Sequence, residues 1–130
     1  MLSHACVGVN DFERAFAFYS AVFAELDVEL KIIDRDRPWA VWMKPGLARP
    51  LFLLGRPFDG EIAAHGNGQM TAFLAPSRAA VDRCYETALS SGGVNEGPPG
   101  LRPEYHANYY GAYFRDPEGN KLCVVCHDPA

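Results

Sequence analysis

Two cysteines near the C-terminus, Cys123 and Cys126, have the C-x-x-C spacing found in many zinc and redox sites. They lie in an apolar run, residues 122–126, that is typical of a β-strand. Residues three apart on a strand point to opposite faces, so one metal ion cannot bind both sulfur atoms. No second C-x-x-C pair is present to complete a zinc site. The spacing therefore predicts a buried strand rather than a zinc ribbon.

The segment from Arg102 to Tyr110 concentrates aromatic and polar side chains just before a predicted strand. Arg102, His106 and Tyr109 are candidates for binding a polar or anionic ligand, and His106 is the candidate for moving a proton. A structural role, as a loop lid whose tyrosine hydroxyls bond to the backbone, explains the same residues equally well. Because loops over cavities often carry binding residues, both alternatives place this segment above a cavity.

The composition indicates a globular protein with a single hydrophobic core. The chain has 130 residues, 48% of them hydrophobic, and a formal charge of -4 without any basic run. This composition favours one folded domain and argues against a nucleic-acid partner, which would need a basic surface. No leader or membrane span is visible, so we expect a cytoplasmic protein whose four cysteines are free thiols.

One pattern of a strand, a helix cap and an amphipathic helix occurs twice. The first copy predicts a strand over residues 2–9, a cap at 10–11 and an apolar helical face over 12–26. The second predicts a strand over 70–75, a cap at Ser77 and a helical face over 81–89. Equivalent positions lie 66 residues apart in three pairs, which are His4 and Met70, Asp11 and Ser77, and Tyr19 and Tyr85. This constant offset indicates an internal duplication.

Three further apolar stretches follow each predicted helix. They cover residues 28–33, 39–43 and 51–54 in the first half, and a weak stretch near 94, then 109–114 and 121–126, in the second. The sequence therefore predicts an α+β domain of two tandem βαβββ modules, approximately residues 1–64 and 68–130. We expect each helix to cover one face of its mixed sheet, and the two sheets to form a curved cup around a small-molecule cavity.

Two stretches of sequence resemble the vicinal oxygen chelate superfamily. One is the opening, residues 2–19, and the other is the pair of tyrosines with the D-P-E-G-N turn in residues 109–120. The resemblance implies the fold of glyoxalase, bleomycin resistance proteins and dihydroxybiphenyl dioxygenase, and commonly a homodimer. It also implies a divalent metal held by side chains on the first strand of each module and on the last strand. Members include lyases, dioxygenases and bleomycin-binding proteins that use no metal, so the fold constrains function only weakly.

The metal ligands that the resemblance implies are mostly replaced in this chain. His4 matches the first ligand position, whereas Met70 and Cys123 occupy the positions where relatives usually have histidine and glutamate. The divalent ions used in this superfamily prefer imidazole and carboxylate ligands. One imidazole and two sulfur groups are a poor substitute for two imidazoles and a carboxylate. Loss of the carboxylate also removes a natural general base. We therefore expect no usual metal site, although a soft site of these three residues for Cu(I) or Zn²⁺ is the sharper alternative.

Three hypotheses about function follow. The first is a protein that binds a small molecule in the cup without a metal, with His4, Met70, Arg102, His106, Tyr109 and Cys123 as the candidate binding residues. The alternative is a metal-dependent lyase or dioxygenase of the glyoxalase I type that holds Zn, Ni, Fe or Mn through shifted ligands, with His4 and His106 joined by Glu104 or Glu118. The third is an interaction domain whose cavity is filled by its own side chains. Membranes and nucleic acids are not expected partners in any of them.

Overall fold

The computed structural model describes all 130 residues, which form two helices and eight strands. In chain order these are β1 (His4–Gly8), α1 (Phe12–Ala24), β2 (Glu29–Asp34), β3 (Trp39–Met43), β4 (Leu51–Gly55), β5 (Thr71–Leu74), α2 (Arg78–Ser90), β6 (Val94–Leu101), β7 (Tyr110–Arg115) and β8 (Lys121–Cys126). The predicted order of strand, helix and three strands occurs twice. Neither helix is long and apolar enough to cross a bilayer.

Both helices begin at the caps that the sequence predicts. Asp11 accepts a hydrogen bond from the backbone N–H of Arg14 at 3.2 Å, and Ser77 accepts one from Ala80 at 3.0 Å. Each cap satisfies an N–H group that the first turn of a helix leaves without a partner. After α2 the backbone of Gly92 adopts a φ of +98°, a conformation that favours glycine and ends the helix.

The two modules form separate four-stranded sheets with the same strand order. The first sheet has the order β1-β4-β3-β2 and the second has the order β5-β8-β7-β6. In each sheet the edge pair, β1 with β4 and β5 with β8, is parallel, and the other neighbours are antiparallel. The predicted α+β fold of tandem modules with mixed sheets is confirmed.

Strand β6 is longer than the weak apolar stretch near residue 94 suggested. It runs for eight residues and includes Pro98 and Pro99, which have no N–H for a sheet hydrogen bond. The strand tolerates them because it lies at the edge of its sheet and its register with β7 shifts on both sides of Gly97. Edge position and bulges are properties of the assembled sheet, so the local sequence did not reveal them.

One hydrophobic core joins the two modules. On α1, the ring of Phe23 lies 5.3 Å from that of Trp42 in the first sheet and 5.0 Å from that of Phe73 in the second. Phe18 of the same helix contacts Phe114 of β7 at 6.2 Å between ring centroids. Helix α1 therefore contacts both sheets, and the core includes residues from every strand pair and both helices.

The face of each sheet that points away from this core is called the far face below. Strand β8 shows the alternation clearly, because Leu122, Val124 and Cys126 belong to the core whereas Cys123 does not. Cys123 therefore lies on the far face. The prediction that the two sulfur atoms of the C-x-x-C pair point to opposite faces is confirmed. All four cysteines are free.

The turn between β7 and β8 fixes the second module against the first. Asp116 is buried, and its carboxylate accepts hydrogen bonds from the Tyr19 hydroxyl at 2.7 Å and from the side chain of Asn120 at 2.8 Å. Glu118 accepts from the backbone N–H groups of Asn10 and Asp11 at 2.6 and 2.7 Å, where α1 begins. Helix N-termini favour negative charge, so this carboxylate is bound where the helix stabilises it.

Replacing Tyr19 with Phe removes a donor from a buried carboxylate and is expected to lower the free energy of unfolding by about 1.5–3 kcal/mol. Burial and the Asp116 carboxylate raise the pKa of Tyr19 well above its ordinary value, so the hydroxyl remains a donor. Urea unfolding measures the change. Tyr105→Phe is the control, because Tyr105 is exposed. An equal effect of both substitutions would contradict this role for Asp116.

Candidate functional site

A buried thiol lies between two tyrosines on the far face of the second sheet. The Tyr109 hydroxyl is 3.6 Å from the sulfur of Cys123 and 2.9 Å from the hydroxyl of Tyr113. Tyr113 is the register partner of Cys123 on the neighbouring strand, and Tyr109 comes from the loop just before that strand. Cys123, Tyr109 and Tyr113 are called the tyrosine–thiol cluster below.

All three groups of the cluster are held in their protonated forms. Burial raises the pKa of the Cys123 thiol, although the bonds from the two tyrosines oppose this effect. Burial also raises the pKa values of Tyr109 and Tyr113, and the mutual hydrogen bonds raise that of Tyr109 further. A thiol, unlike a thiolate, is a poor nucleophile and a poor metal ligand. The cluster therefore offers neutral hydrogen-bonding groups.

The loop before β7 covers the cluster and carries Arg102. The guanidinium carbon of Arg102 lies 5.5 Å from the centre of the Tyr113 ring, and its Nη2 donates to the carbonyl of Pro98 at 2.8 Å. The loop is closed at its base, where the backbone N–H of Arg102 donates to the carbonyl of Tyr109 at 2.8 Å. The expected lid over the far face is thus present as a folded turn.

His106 and His127 form a hydrogen-bonded pair at the edge of this loop. The N–H of Asn108 donates to Nδ1 of His106 at 3.1 Å, so the proton of a neutral His106 ring is on Nε2. Nε2 then donates to Nδ1 of His127 at 2.8 Å, and the ring of Tyr109 lies edge-on to both imidazoles. Both ring nitrogens of His106 are engaged, so any proton transfer to a substrate requires this pair to open.

His4 lies on the first sheet, apart from the tyrosine–thiol cluster. Met70 comes two residues before Ala72, the register partner of Cys123, so it lies on the same side of the second sheet as the cluster. His4 is exposed on β1, where its Nδ1 is 2.9 Å from the Ser3 hydroxyl and its partner on β4 is Leu51. Met70 immediately precedes β5 and lines a small cavity of about 100 Å³ together with Cys6 and other residues. Contacts in the cluster and its covering loop join four of the six candidate binding residues, which are Arg102, His106, Tyr109 and Cys123.

The residues at the implied metal positions do not fit a divalent ion. His4 has an apolar strand partner, Met70 supplies only a thioether, and Cys123 supplies one thiol that is hydrogen bonded to Tyr109 instead of a carboxylate. The chain contains no group of three or more His, Cys, Asp or Glu side chains arranged to hold a metal. Glu118, a shifted ligand in the metal-dependent alternative, uses both oxygens to bind the start of α1.

The family model for the glyoxalase/bleomycin resistance protein/dioxygenase superfamily matches residues 1–124. The chain belongs to this superfamily. The comparison with curated proteins gave no match. The expected resemblance and fold are thereby confirmed, whereas superfamily membership does not by itself establish an activity.

Several solved structures share this fold over nearly the whole chain. A glyoxalase/bleomycin resistance protein from Albidiferax ferrireducens is 33% identical, with 98% of this chain and 99% of that chain covered and a TM-score of 0.85. A lactoylglutathione lyase from Agrobacterium tumefaciens is 21% identical, with 97% and 92% covered and a TM-score of 0.64. A glyoxalase-related enzyme from Fulvimarina pelagi is 16% identical, with 97% and 87% covered and a TM-score of 0.72. The last two comparisons show the fold alone.

Sequence reasoning did not identify Tyr113 as a member of the cluster. The signal was present, because Gly111, Tyr113 and Arg115 alternate on β7 opposite the core residues Ala112 and Phe114. Only the register of β7 with β8 shows that Tyr113 pairs with Cys123, and that register depends on the length of the intervening turn.

One cysteine per chain is expected to react rapidly with Ellman's reagent in the folded protein at pH 8. Cys6 is exposed and the other three thiols are buried, with burial raising the pKa of Cys84 to about 12 and that of Cys123 above its ordinary value. Cys6→Ser should abolish the rapid phase, and all four thiols should react in the unfolded wild type. Rapid reaction of Cys123 in the Cys6→Ser variant would contradict the neutral, covered cluster.

Proposed function

We propose that this protein binds a small molecule on the far faces of its sheets without a divalent metal. The observation that supports this proposal is the tyrosine–thiol cluster. Cys123 stands where the superfamily resemblance implies a metal-binding glutamate, and its thiol is buried and hydrogen bonded to Tyr109. A neutral thiol in place of a carboxylate removes the anionic ligand and the base that metal-dependent relatives need.

The chemistry around the cluster suits a polar group on an aromatic or otherwise apolar ligand. The two tyrosine hydroxyls remain donors, because burial raises the pKa values of both. Arg102 stacks over the Tyr113 ring and brings a positive charge to the same area. A ligand that carries a carbonyl, a hydroxyl or an acidic group and displaces the covering loop would find complementary partners here.

We further propose that two copies of the chain associate to complete the cup. The edge strands β1 and β5 each have a hydrogen-bonded neighbour on one side only. Next to β5, the apolar side chain of Met70 is 44% exposed. Covering such strand edges and apolar side chains is favourable, so a second copy is the partner that we propose. The shared core supports one domain over residues 1–130, and a cytoplasmic location stays a prediction.

Metal analysis of protein purified without an affinity tag tests the proposal. We expect Ni, Fe, Mn and Zn far below one atom per chain, and the same result for a His4→Ala variant, because the donor set does not favour these ions. Inductively coupled plasma mass spectrometry provides the measurement. A thermal-shift screen of small aromatic ligands should then find binders whose effect is lost in Tyr113→Phe but kept in the exposed control Tyr105→Phe.

A stoichiometric metal that is lost in His4→Ala would contradict the proposal. It would favour a metal-dependent lyase or dioxygenase with ligands contributed by two copies of the chain. Ligands whose stabilising effect is the same in wild type and Tyr113→Phe would place the binding site away from the tyrosine–thiol cluster.

A further inference from the structure

A second and larger cavity lies on the helix side of the first sheet and extends to the edge strand β5 of the second sheet. Its volume is about 430 Å³, within the range of roughly 300–1,000 Å³ that is typical of small-molecule sites. It is bounded by β3 and β4, by the end of α1 and by the segment from Thr71 to Pro76. Fourteen of its eighteen lining residues are hydrophobic, so the cavity favours an apolar ligand.

The floor of the cavity is formed by aromatic rings that are already packed against one another. Phe23 lies 5.3 Å from Trp42 and 5.3 Å from Phe52, and Phe52 lies 5.3 Å from Phe73. Trp42, Phe23 and Phe52 are buried, so their rings are held by the core. Because these rings pack against one another in the core, binding on the floor requires little ordering of side chains.

The lining of the cavity is apolar apart from one cation and the hydroxyl group of Thr71. Leu2, Leu47 and Leu74 line the cavity and are exposed. Lys44 is the one charged residue in the lining, and its ammonium group donates to the carbonyl of Leu26 at 3.1 Å. Lys44 forms no ion pair with a carboxylate of the chain. An ammonium group has three protons, so two of them remain available to a ligand.

We propose that this cavity binds a monocarboxylate with a linear or flat apolar body. The apolar part would lie on the aromatic floor, and the carboxylate would accept a hydrogen bond from Lys44 at the rim. Such a charge-assisted bond adds orientation to the non-directional burial of the apolar part. The site is distinct from the tyrosine–thiol cluster, because its floor consists of core residues and no residue of that cluster lines it.

Decanoate is the probe for binding. 1-Decanol, used below its solubility limit, has the same chain length without the charge and serves as the comparison. The chain has two tryptophans, and only Trp42 lines the cavity. In a Trp39→Phe variant, the fluorescence of Trp42 should change saturably with either probe, at one molecule per chain. In Trp42→Phe, the fluorescence of Trp39, which lies on the far face of β3 under Arg37, should not change.

Two pairs of variants test the role of charge. Lys44→Gln should weaken decanoate binding by about tenfold and decanol binding by less than about twofold, as expected for a hydrogen bond to a charged group. Lys31→Gln, which removes an exposed lysine on β2, should change neither. At the exposed rim, Leu74→Glu should weaken decanoate binding more than Leu74→Gln does, while the two variants should bind decanol alike. Circular dichroism confirms that each variant is folded.

If the fluorescence of Trp42 responds to neither probe, the proposal is overturned. This holds also if light scattering shows a dimer in which the second copy closes the rim of the cavity. An equal loss of decanoate and decanol in Lys44→Gln would overturn the role of the carboxylate and with it the proposed ligand class. A response of Trp39 alone would place the ligand on the far face. That result would overturn this proposal and leave the proposed function standing.

Discussion

The buried carboxylate of Asp116 is the interaction on which the arrangement of the two modules depends. It lies in the turn between β7 and β8 and is bonded by Tyr19 of α1, while Glu118 of the same turn holds the start of that helix. A buried charge is costly unless it is fully hydrogen bonded, so this turn has few alternative positions. The turn thereby fixes α1 against both sheets, so that both sheets pack on the common core through one face and leave the far face uncovered by the helices.

That arrangement explains why the candidate residues divide into separate groups. His4 is on the first sheet and Cys123 on the second, and the helices and their core lie on the opposite side of each sheet. The tyrosine–thiol cluster satisfies its own hydrogen-bonding groups without an ion. The apolar cavity instead lies beside the buried rings of the core, between the end of α1, the first sheet and β5. One chain thus has two chemically different surfaces, and a small molecule is proposed for each.

The sequence predicted the features that depend on local patterns. The caps at Asp11 and Ser77 and the alternation in β8 follow from residue type and spacing, so these predictions are confirmed. The prolines of β6, the partnership of Tyr113 with Cys123 and the large cavity depend on which strands become neighbours. The propensity of a segment for helix or strand contains no information on which strands become neighbours. The roles proposed for the six candidate binding residues also depend on that arrangement, and they stay predictions.

Anomalous diffraction from crystals of the untagged protein grown with millimolar Ni²⁺ or Zn²⁺ tests the central claim most directly. The claim is that one imidazole, a thioether and a thiol do not form a site for a divalent ion on the far faces. We predict no anomalous peak within bonding distance of His4, in one copy or between two. A peak that is coordinated by His4 and by side chains of either copy would contradict the account and indicate a metalloenzyme.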